Sequence, residues 1–168
     1  MFSFYFTALK SLAVKETNRY LRIWVQTLVP PVITTSLYFV IFGKMIGGRI
    51  GDMGGFSYME FIVPGLIMMS AITSSYANVS SSFFSQKFQK NIEELLVAPV
   101  PTHVIIWGFV IGGLGRSILV GTLVTVISPF FVPLHASSWF IVVPTSSMPV
   151  RLFSLAGLIN GVFAQSYD

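Results

Sequence analysis

Residues 23 to 43 read IWVQTLVPPVITTSLYFVIFG, a run of 21 uncharged residues that lies between Arg22 and Lys44. As an α-helix with a rise of about 1.5 Å per residue, the run is roughly 31 Å long, which matches the hydrocarbon core of a bilayer. It therefore predicts a first membrane-spanning helix over 23–43. Pro30 and Pro31 are expected to kink this helix, which a bundle tolerates because neighbouring groups satisfy the freed carbonyls.

The composition of the whole chain agrees with a membrane protein. Of its 168 residues, 54% are hydrophobic and 10% are charged, whereas soluble domains have about 25% charged residues. Too few polar side chains are present to cover a water-facing surface, so lipid is the expected solvent. The chain has no cysteine, which excludes a disulfide scaffold and a thiolate metal site. Its net charge of +4 lies in short segments between apolar runs, which argues against nucleic-acid binding.

Two further runs predict a second span over 61–81 and a third span over 104–134. The third run contains a single charge, Arg116. We interpret Arg116 as the cytoplasmic end of the hydrophobic segment rather than as a charge at mid-bilayer, because the 18 residues after it are uncharged and suffice to cross.

A fourth span is predicted over 139–164, where Pro144, Pro149 and a central Arg151 interrupt the apolar pattern. An arginine at the centre of a spanning helix costs about 2.5–3.5 kcal/mol on insertion scales. Either the helix is broken and packed inside protein, or this part does not insert as a plain helix. The expected fold is an all-α, multi-pass membrane helical bundle of about four spans.

Lysine and arginine in the short connecting segments predict the orientation, because the cytoplasmic side retains them. Six such residues fall on one side of the predicted bundle: Lys10, Lys15, Arg19, Arg22, Lys87 and Lys90. The other side has only Lys44 and Arg49. The N-terminus and the loop over 86–102 are therefore both predicted to be cytoplasmic.

Residues 1–22 are predicted to form an amphipathic helix that precedes the bundle and lies in the plane of the cytoplasmic leaflet. Its polar face consists of Lys10, Lys15, Asn18, Arg19 and Arg22. Its apolar face consists of Phe2, Phe6, Leu9, Ala13 and Tyr20. The alternative is a tail that only carries the topology signal.

The loop over 86–102 concentrates charge and proline in an otherwise apolar chain. A helix is predicted to continue from the second span through Lys90 and Glu94 and to stop before Pro99. An apolar ridge at spacings i, i+3 and i+4 lies on one face of that helix: Ile92, Leu95 and Leu96. The ridge indicates either a docking surface for a partner or leucines that pack under the bundle, and the pattern alone leaves both interpretations open.

Four segments of the chain resemble ABC-2 type transport permeases: RIWVQTLVPPVIT, IGDMGGFSYMEFIVPGLIMMS, SYANVSSSFF and NIEELLVAPVPTHVII. The resemblance implies a bacterial inner-membrane protein in which two copies of a six-span permease pair with two cytoplasmic ATPase subunits. Such proteins export lipid-linked glycans, lipids or drugs. The region from Gln89 to Pro101 would then contain the coupling helix that fits a groove of the ATPase. Its coupling residues would be Lys90, Ile92, Glu93, Glu94, Leu95, Leu96, Pro99 and Pro101.

The sequence departs from the family pattern in two respects. The family's last two spans are missing, so the 168 residues are expected to form a partial transmembrane domain. The segment IVVPTSSMPVR over 141–151 also replaces an unbroken apolar run.

The sequence contains no GxxxxGK[ST] phosphate-binding pattern. No cofactor is therefore expected on this chain, and ATP and Mg²⁺ are expected on the partner ATPase.

A polar stripe on the second span is interpreted as helix packing or, alternatively, as the wall of a transport pathway: Ser70, Ser74, Asn78, Ser81 and Ser85. Three glycine pairs with spacing i, i+4 are typical of close helix contact: Gly43/Gly47, Gly108/Gly112 and Gly157/Gly161.

Two other classes of protein compete with a permease. An intramembrane serine hydrolase would need a base within hydrogen-bond reach of its nucleophile, but His103 and His135 are predicted in loops on opposite sides of the membrane. The same two histidines, with scattered glutamates, make no plausible metal site. A channel or a structural membrane protein fits the hydropathy equally well and is disfavoured only by the resemblance.

Overall fold

The computed structural model describes residues 2–47, 49, 52–53, 55–131 and 139–164. The chain is all-α, as predicted, apart from one two-residue hairpin that joins β1 (Asp52–Met53) to β2 (Phe56–Ser57). Its α-helices are α1 (Phe2–Arg22), α2 (Trp24–Val40), α3 (Tyr58–Phe88), α4 (Asn91–Val97), α5 (Thr102–Ile127) and α6 (Trp139–Phe163). A π-helix (Ile41–Gly47) extends α2, and a 3-10 turn (Ser128–Phe130) extends α5.

Within the residues that the structure describes, three helical segments are long and apolar enough to cross a membrane: Trp24–Gly47, Tyr58–Phe88 and Thr102–Phe130. A shorter apolar helix, Ser147–Phe163, forms the second part of α6. The helix is not broken at Pro144 or Pro149, because α6 is helical through both prolines. These elements agree with a multi-pass membrane bundle.

The contacts between helices show an alternating chain direction. Thr35 of α2 and Ser70 of α3 share a hydrogen bond of 2.6 Å midway along two antiparallel helices. At the far end of α2, Phe39 packs against Val63 of α3 and Val124 of α5. Hence α2 and α5 run in one direction while α3 runs in the other. Ser154 of α6 bonds to Ser75 of α3, and the end of α6 meets the end of α3, so α6 runs with α3.

Close approach of α6 to α3 depends on glycine. A Cβ placed on Gly157 would lie 2.7 Å from the carbonyl oxygen of Tyr76, and one on Gly161 would lie 3.2 Å from that of Ser80. Side chains larger than hydrogen would therefore force the two helices apart. The pair Gly157/Gly161 does mediate the tight contact that its spacing predicts.

Two apolar clusters form the core of the described part of the chain. The first lies between α2, α3 and α5: Phe39, Met59, Val63, Val120 and Val124. The second lies at the other end of the bundle, where α3, α5 and α6 meet: Val79, Ile105, Phe109 and Leu158. The second cluster is next to the loop between α3 and α5, so it helps to hold this loop in position.

Candidate functional site

The loop between α3 and α5 contains a separate short helix. The expectation that the second span continues as a helix through Lys90 is wrong, because α3 ends at Phe88 and Lys90 has a φ of 59°. A non-glycine residue in this left-handed region reverses the chain direction at some energetic cost. The helix α4 then begins at Asn91, and extended residues from Ala98 to Pro101 lead into α5.

The predicted apolar ridge on this helix is divided between core and surface. Leu95 packs against the second core cluster, and Ile92 is half-buried. Leu96 is 66% exposed and the adjoining Val97 is 86% exposed. The structure thus divides the ridge between the two interpretations, because Leu95 attaches α4 to the bundle while Leu96 is left exposed for a partner.

What remains outside is a small mixed surface, which we call the loop surface. It consists of Glu93, Glu94, Leu96 and Val97, all exposed. Lys90 and Pro99 are also exposed, whereas Pro101 is half-buried at the start of α5. Two apolar side chains beside two carboxylates on a projecting helix are suited to a protein partner.

The predicted polar stripe of α3 is only partly in the interior. Ser74 and Asn78 are buried, Ser70 and Ser85 are half-buried, and Ser81 is exposed. The two serines of α3 that bond to other helices at full burial were missed by the sequence analysis: Ser75, which bonds to Ser154, and Ser82, which bonds to Glu16. Whether the polar stripe packs helices together or lines a transport pathway stays a prediction.

A cluster of polar side chains, most of them buried, joins α1 to α3, and we call it the α1–α3 cluster. Its members are Glu16, Arg19, Asn78, Ser82 and Gln86. The Glu16 side chain is almost completely buried, and its Oε2 lies 3.1 Å from Arg19 Nη2. Its Oε1 accepts hydrogen bonds from Ser82 Oγ at 2.6 Å and from Gln86 Nε2 at 3.4 Å. Arg19 Nη2 also donates to Asn78 Oδ1 at 2.9 Å and to the Asn78 carbonyl oxygen at 3.1 Å.

The same face of α1 packs closely on glycines of α5. A Cβ on Gly108 would lie 2.8 Å from Leu12 Cβ, and one on Gly112 would lie 2.6 Å from Glu16 Cβ. A Cβ on Gly115 would lie 2.9 Å from the hydroxyl of Tyr20. This register shows that α1 lies lengthwise along α5 and runs in the same direction, whereas a helix in the membrane plane would cross α5. The in-plane orientation expected for α1 therefore disagrees with this packing.

The two faces assigned to α1 need correction. Arg19, placed on the polar face, turns toward α3, and the buried face is formed by Leu12, Glu16 and Tyr20. Phe6, placed on the apolar face with Tyr20, is exposed. The reason is that α1 packs on glycines of α5 at i, i+4 spacing. A glycine leaves room for either a carboxylate or an apolar side chain, and α3 supplies the hydrogen-bond donors that a buried carboxylate needs.

Arg116 lies where α5 meets the start of α2. Its Nη2 donates to the carbonyl oxygen of Thr27 at 3.2 Å. Thr27 belongs to the first turn of α2, so Arg116 lies at the level where the first long apolar helix begins. This position agrees with its interpretation as the end of a hydrophobic segment.

Among the described residues, no three His, Asp or Glu side chains come together in a way that could hold a metal ion. His103 is exposed at the start of α5, and His135 lies outside the described residues.

Comparison with known proteins gives a consistent result. A profile of the family described as ABC-2 type transporter matches residues 7–168. The chain is 67% identical over 168 residues to the inner membrane transport permease YadH of Escherichia coli (strain K12), with all of this chain and 66% of that protein aligned. It is 23% identical over 133 residues to nodulation protein J of Neorhizobium galegae, with 79% of this chain and 51% of that protein aligned. No solved structure matches. The chain thus spans one half to two thirds of the length of these relatives.

Proposed function

The chain belongs to the ABC-2 type transporter family, and from this premise we propose that it is a permease subunit of an ATP-binding cassette exporter in the bacterial inner membrane. The relative from Escherichia coli is named an inner membrane transport permease, and the long apolar helices agree with that location. We propose an amphipathic, lipid-linked or drug-like substrate and a second copy of the permease. The N-terminus is proposed to be cytoplasmic.

The loop surface is the observation that carries this proposal. It projects from the junction of α3 and α5, the two long helices that hold most of the buried core. Because Leu95 attaches α4 to the second core cluster, a force on the loop surface would reach both helices. A partner that changes shape on binding ATP could therefore move them.

ATP hydrolysis is assigned to a separate subunit. The sequence lacks the glycine-rich pattern whose backbone amides hold phosphates. We propose that a cytoplasmic ABC ATPase binds ATP and Mg²⁺ and takes the loop surface into an apolar groove. The exposed Glu93 and Glu94 favour basic groups at the rim of that groove.

Co-purification tests the proposal. The chain, carrying an affinity tag, would be expressed with each cytoplasmic ABC ATPase of its own genome in turn and purified in mild detergent. We expect the ATPase to be retained and its ATP turnover to change when the permease is bound. A channel or a structural membrane protein has no reason to retain it, so purification of the chain without the ATPase would favour those alternatives.

A further inference from the structure

The helix α1 contacts both helix ends that flank the loop carrying α4, namely the end of α3 and the start of α5. We call these two helix ends the stems of the loop. On the α3 side, the contact is the α1–α3 cluster, whose members Ser82 and Gln86 lie within two turns of the end of α3. On the α5 side, Leu12 and Glu16 lie on Gly108 and Gly112, within three turns of the start of α5. Movement of either stem would therefore act directly on α1.

The α1–α3 cluster fixes the position of α1 along α3 better than apolar contact would. Hydrogen bonds and ion pairs are directional, and sliding α1 by one turn would separate Arg19 from Asn78 and Glu16 from Ser82. A buried carboxylate without its partners is strongly unfavourable, so the arrangement has few alternatives. Apolar surfaces slide with smaller penalties.

The cluster is not arranged for maximal stability. Within the described part of the chain, three of its buried atoms have no hydrogen-bond partner: Arg19 Nε, Asn78 Nδ2 and Gln86 Oε1. Arg19 is also partly exposed, which weakens its ion pair by solvent screening. Buried polar groups that are incompletely satisfied contribute less to stability than well-packed apolar side chains of the same volume. Control of position is a better account of such a cluster.

The other end of α1 is attached to α2. Ile23 alone separates the two helices. The Thr27 hydroxyl of α2 donates to the carbonyl oxygen of Tyr20 in α1 at 3.1 Å, and Arg116 of α5 donates to the carbonyl oxygen of Thr27. These bonds span the junction, so a shift of α1 is passed to the first long apolar helix.

We propose that Glu16 and Arg19 are positioning residues that make α1 move with the stems of the loop and thereby carry a displacement of α4 to α2. This inference rests on the proposed function, because the displacement is the one that a bound ATPase would cause. The first long helix also packs directly on α3 and α5, so α1 would add a second connection, from the loop to the start of that helix.

A first measurement tests the attachment without the ATPase. Since the chain has no cysteine, Leu12→Cys provides a single thiol that is buried against Gly108. Its labelling by a water-soluble maleimide is expected to become about tenfold faster in Arg19→Met, because α1 detaches more often. Arg22→Met removes the same charge from an exposed site one turn away and should leave the rate unchanged. Equal rates in Arg19→Met and Arg22→Met would overturn the proposal.

A second measurement tests transmission with the ATPase bound. An environment-sensitive fluorophore on Val25→Cys, an exposed position of α2, is expected to change its emission on addition of ATP. Arg19→Met and Glu16→Gln should diminish this change while retaining the ATPase, and Arg19→Lys should recover part of it. An undiminished response in both variants, or no response in the parent with ATPase bound, would overturn the inference. Failure of the parent to retain the ATPase would refute the proposed function instead. The labelling rates of Leu12→Cys would still test whether Arg19 holds α1 on the bundle.

Discussion

The double variant Leu96→Asp/Val97→Asp is expected to lose the ATPase during co-purification while accumulating normally in the membrane. Both side chains are mostly exposed, at 66% and 86%, so carboxylates at these positions leave the core intact. In the complex they would enter an apolar groove, where an unpaired charge is strongly unfavourable. Loss of one hot-spot apolar anchor costs about 2 kcal/mol or more, so the loss of two such anchors is expected to weaken binding roughly 1,000-fold.

The matched control places two carboxylates on the same predicted side of the membrane but outside the loop. Ser11 and Asn18 are exposed on α1 and do not belong to the α1–α3 cluster. Ser11→Asp/Asn18→Asp should therefore retain the ATPase at the parental level. If both double variants retain the ATPase equally, the loop surface is not the docking site.

Gly112→Val is expected to destabilise the protein by about 3 kcal/mol, the upper end of the range for overpacked interiors. A Cβ at this position would lie 2.6 Å from Glu16 Cβ. Because the contact is to the first carbon of the side chain, rotation of Glu16 cannot relieve it. The helix α1 must shift, which also separates Glu16 from Ser82. A lowered midpoint of thermal unfolding in detergent would report the effect.

The control for this variant is Gly65→Val on α3. Apart from its chain neighbours and the nearby backbone of its own helix, a Cβ on Gly65 would have no atom within 4 Å, and valine is a better helix former than glycine in solution. Its unfolding midpoint should equal or slightly exceed that of the parent. If Gly112→Val unfolds at the parental midpoint, α1 is not packed on α5 as the structure describes.

Hydropathy and charge predict the helical bundle well, because length and apolar content are averages over many residues. The run from Ile23 to Gly43 corresponds to α2 with its π-helical extension, and the run over 104–134 corresponds largely to α5. Glycine spacing likewise indicates close contact at Gly157. None of these features depends on which helix is the neighbour.

The division of the loop between core and surface could not be predicted in the same way. Leu95 and Leu96 are chemically identical, and their roles depend on where α4 lies relative to Ile105 and Phe109. That position in turn depends on the left-handed backbone of Lys90, a conformation to which lysine has no special tendency. Local sequence therefore indicates a helix but not its orientation.

Glu16 was missed although the sequence contains a signal. It is the first acidic residue of the chain, in a segment whose other charged residues are all basic. It lies three residues before Arg19 and four residues from both Leu12 and Tyr20, so it shares a helical face with all three. An isolated carboxylate on the apolar side of a basic helix predicts a buried partner, but only the three-dimensional structure identifies Ser82 and Gln86 as the donors.

The central claim is that the loop surface faces the cytoplasm, where an ATPase can reach it. The most direct test uses two single-cysteine variants of the cysteine-free chain: Glu94→Cys on the loop surface and Phe130→Cys at the opposite end of α5, both exposed. Intact spheroplasts would be treated with a membrane-impermeant maleimide before and after permeabilisation. We predict that Phe130→Cys is labelled in intact spheroplasts, whereas Glu94→Cys is labelled only after permeabilisation. Labelling of Glu94→Cys from outside intact spheroplasts would contradict the account.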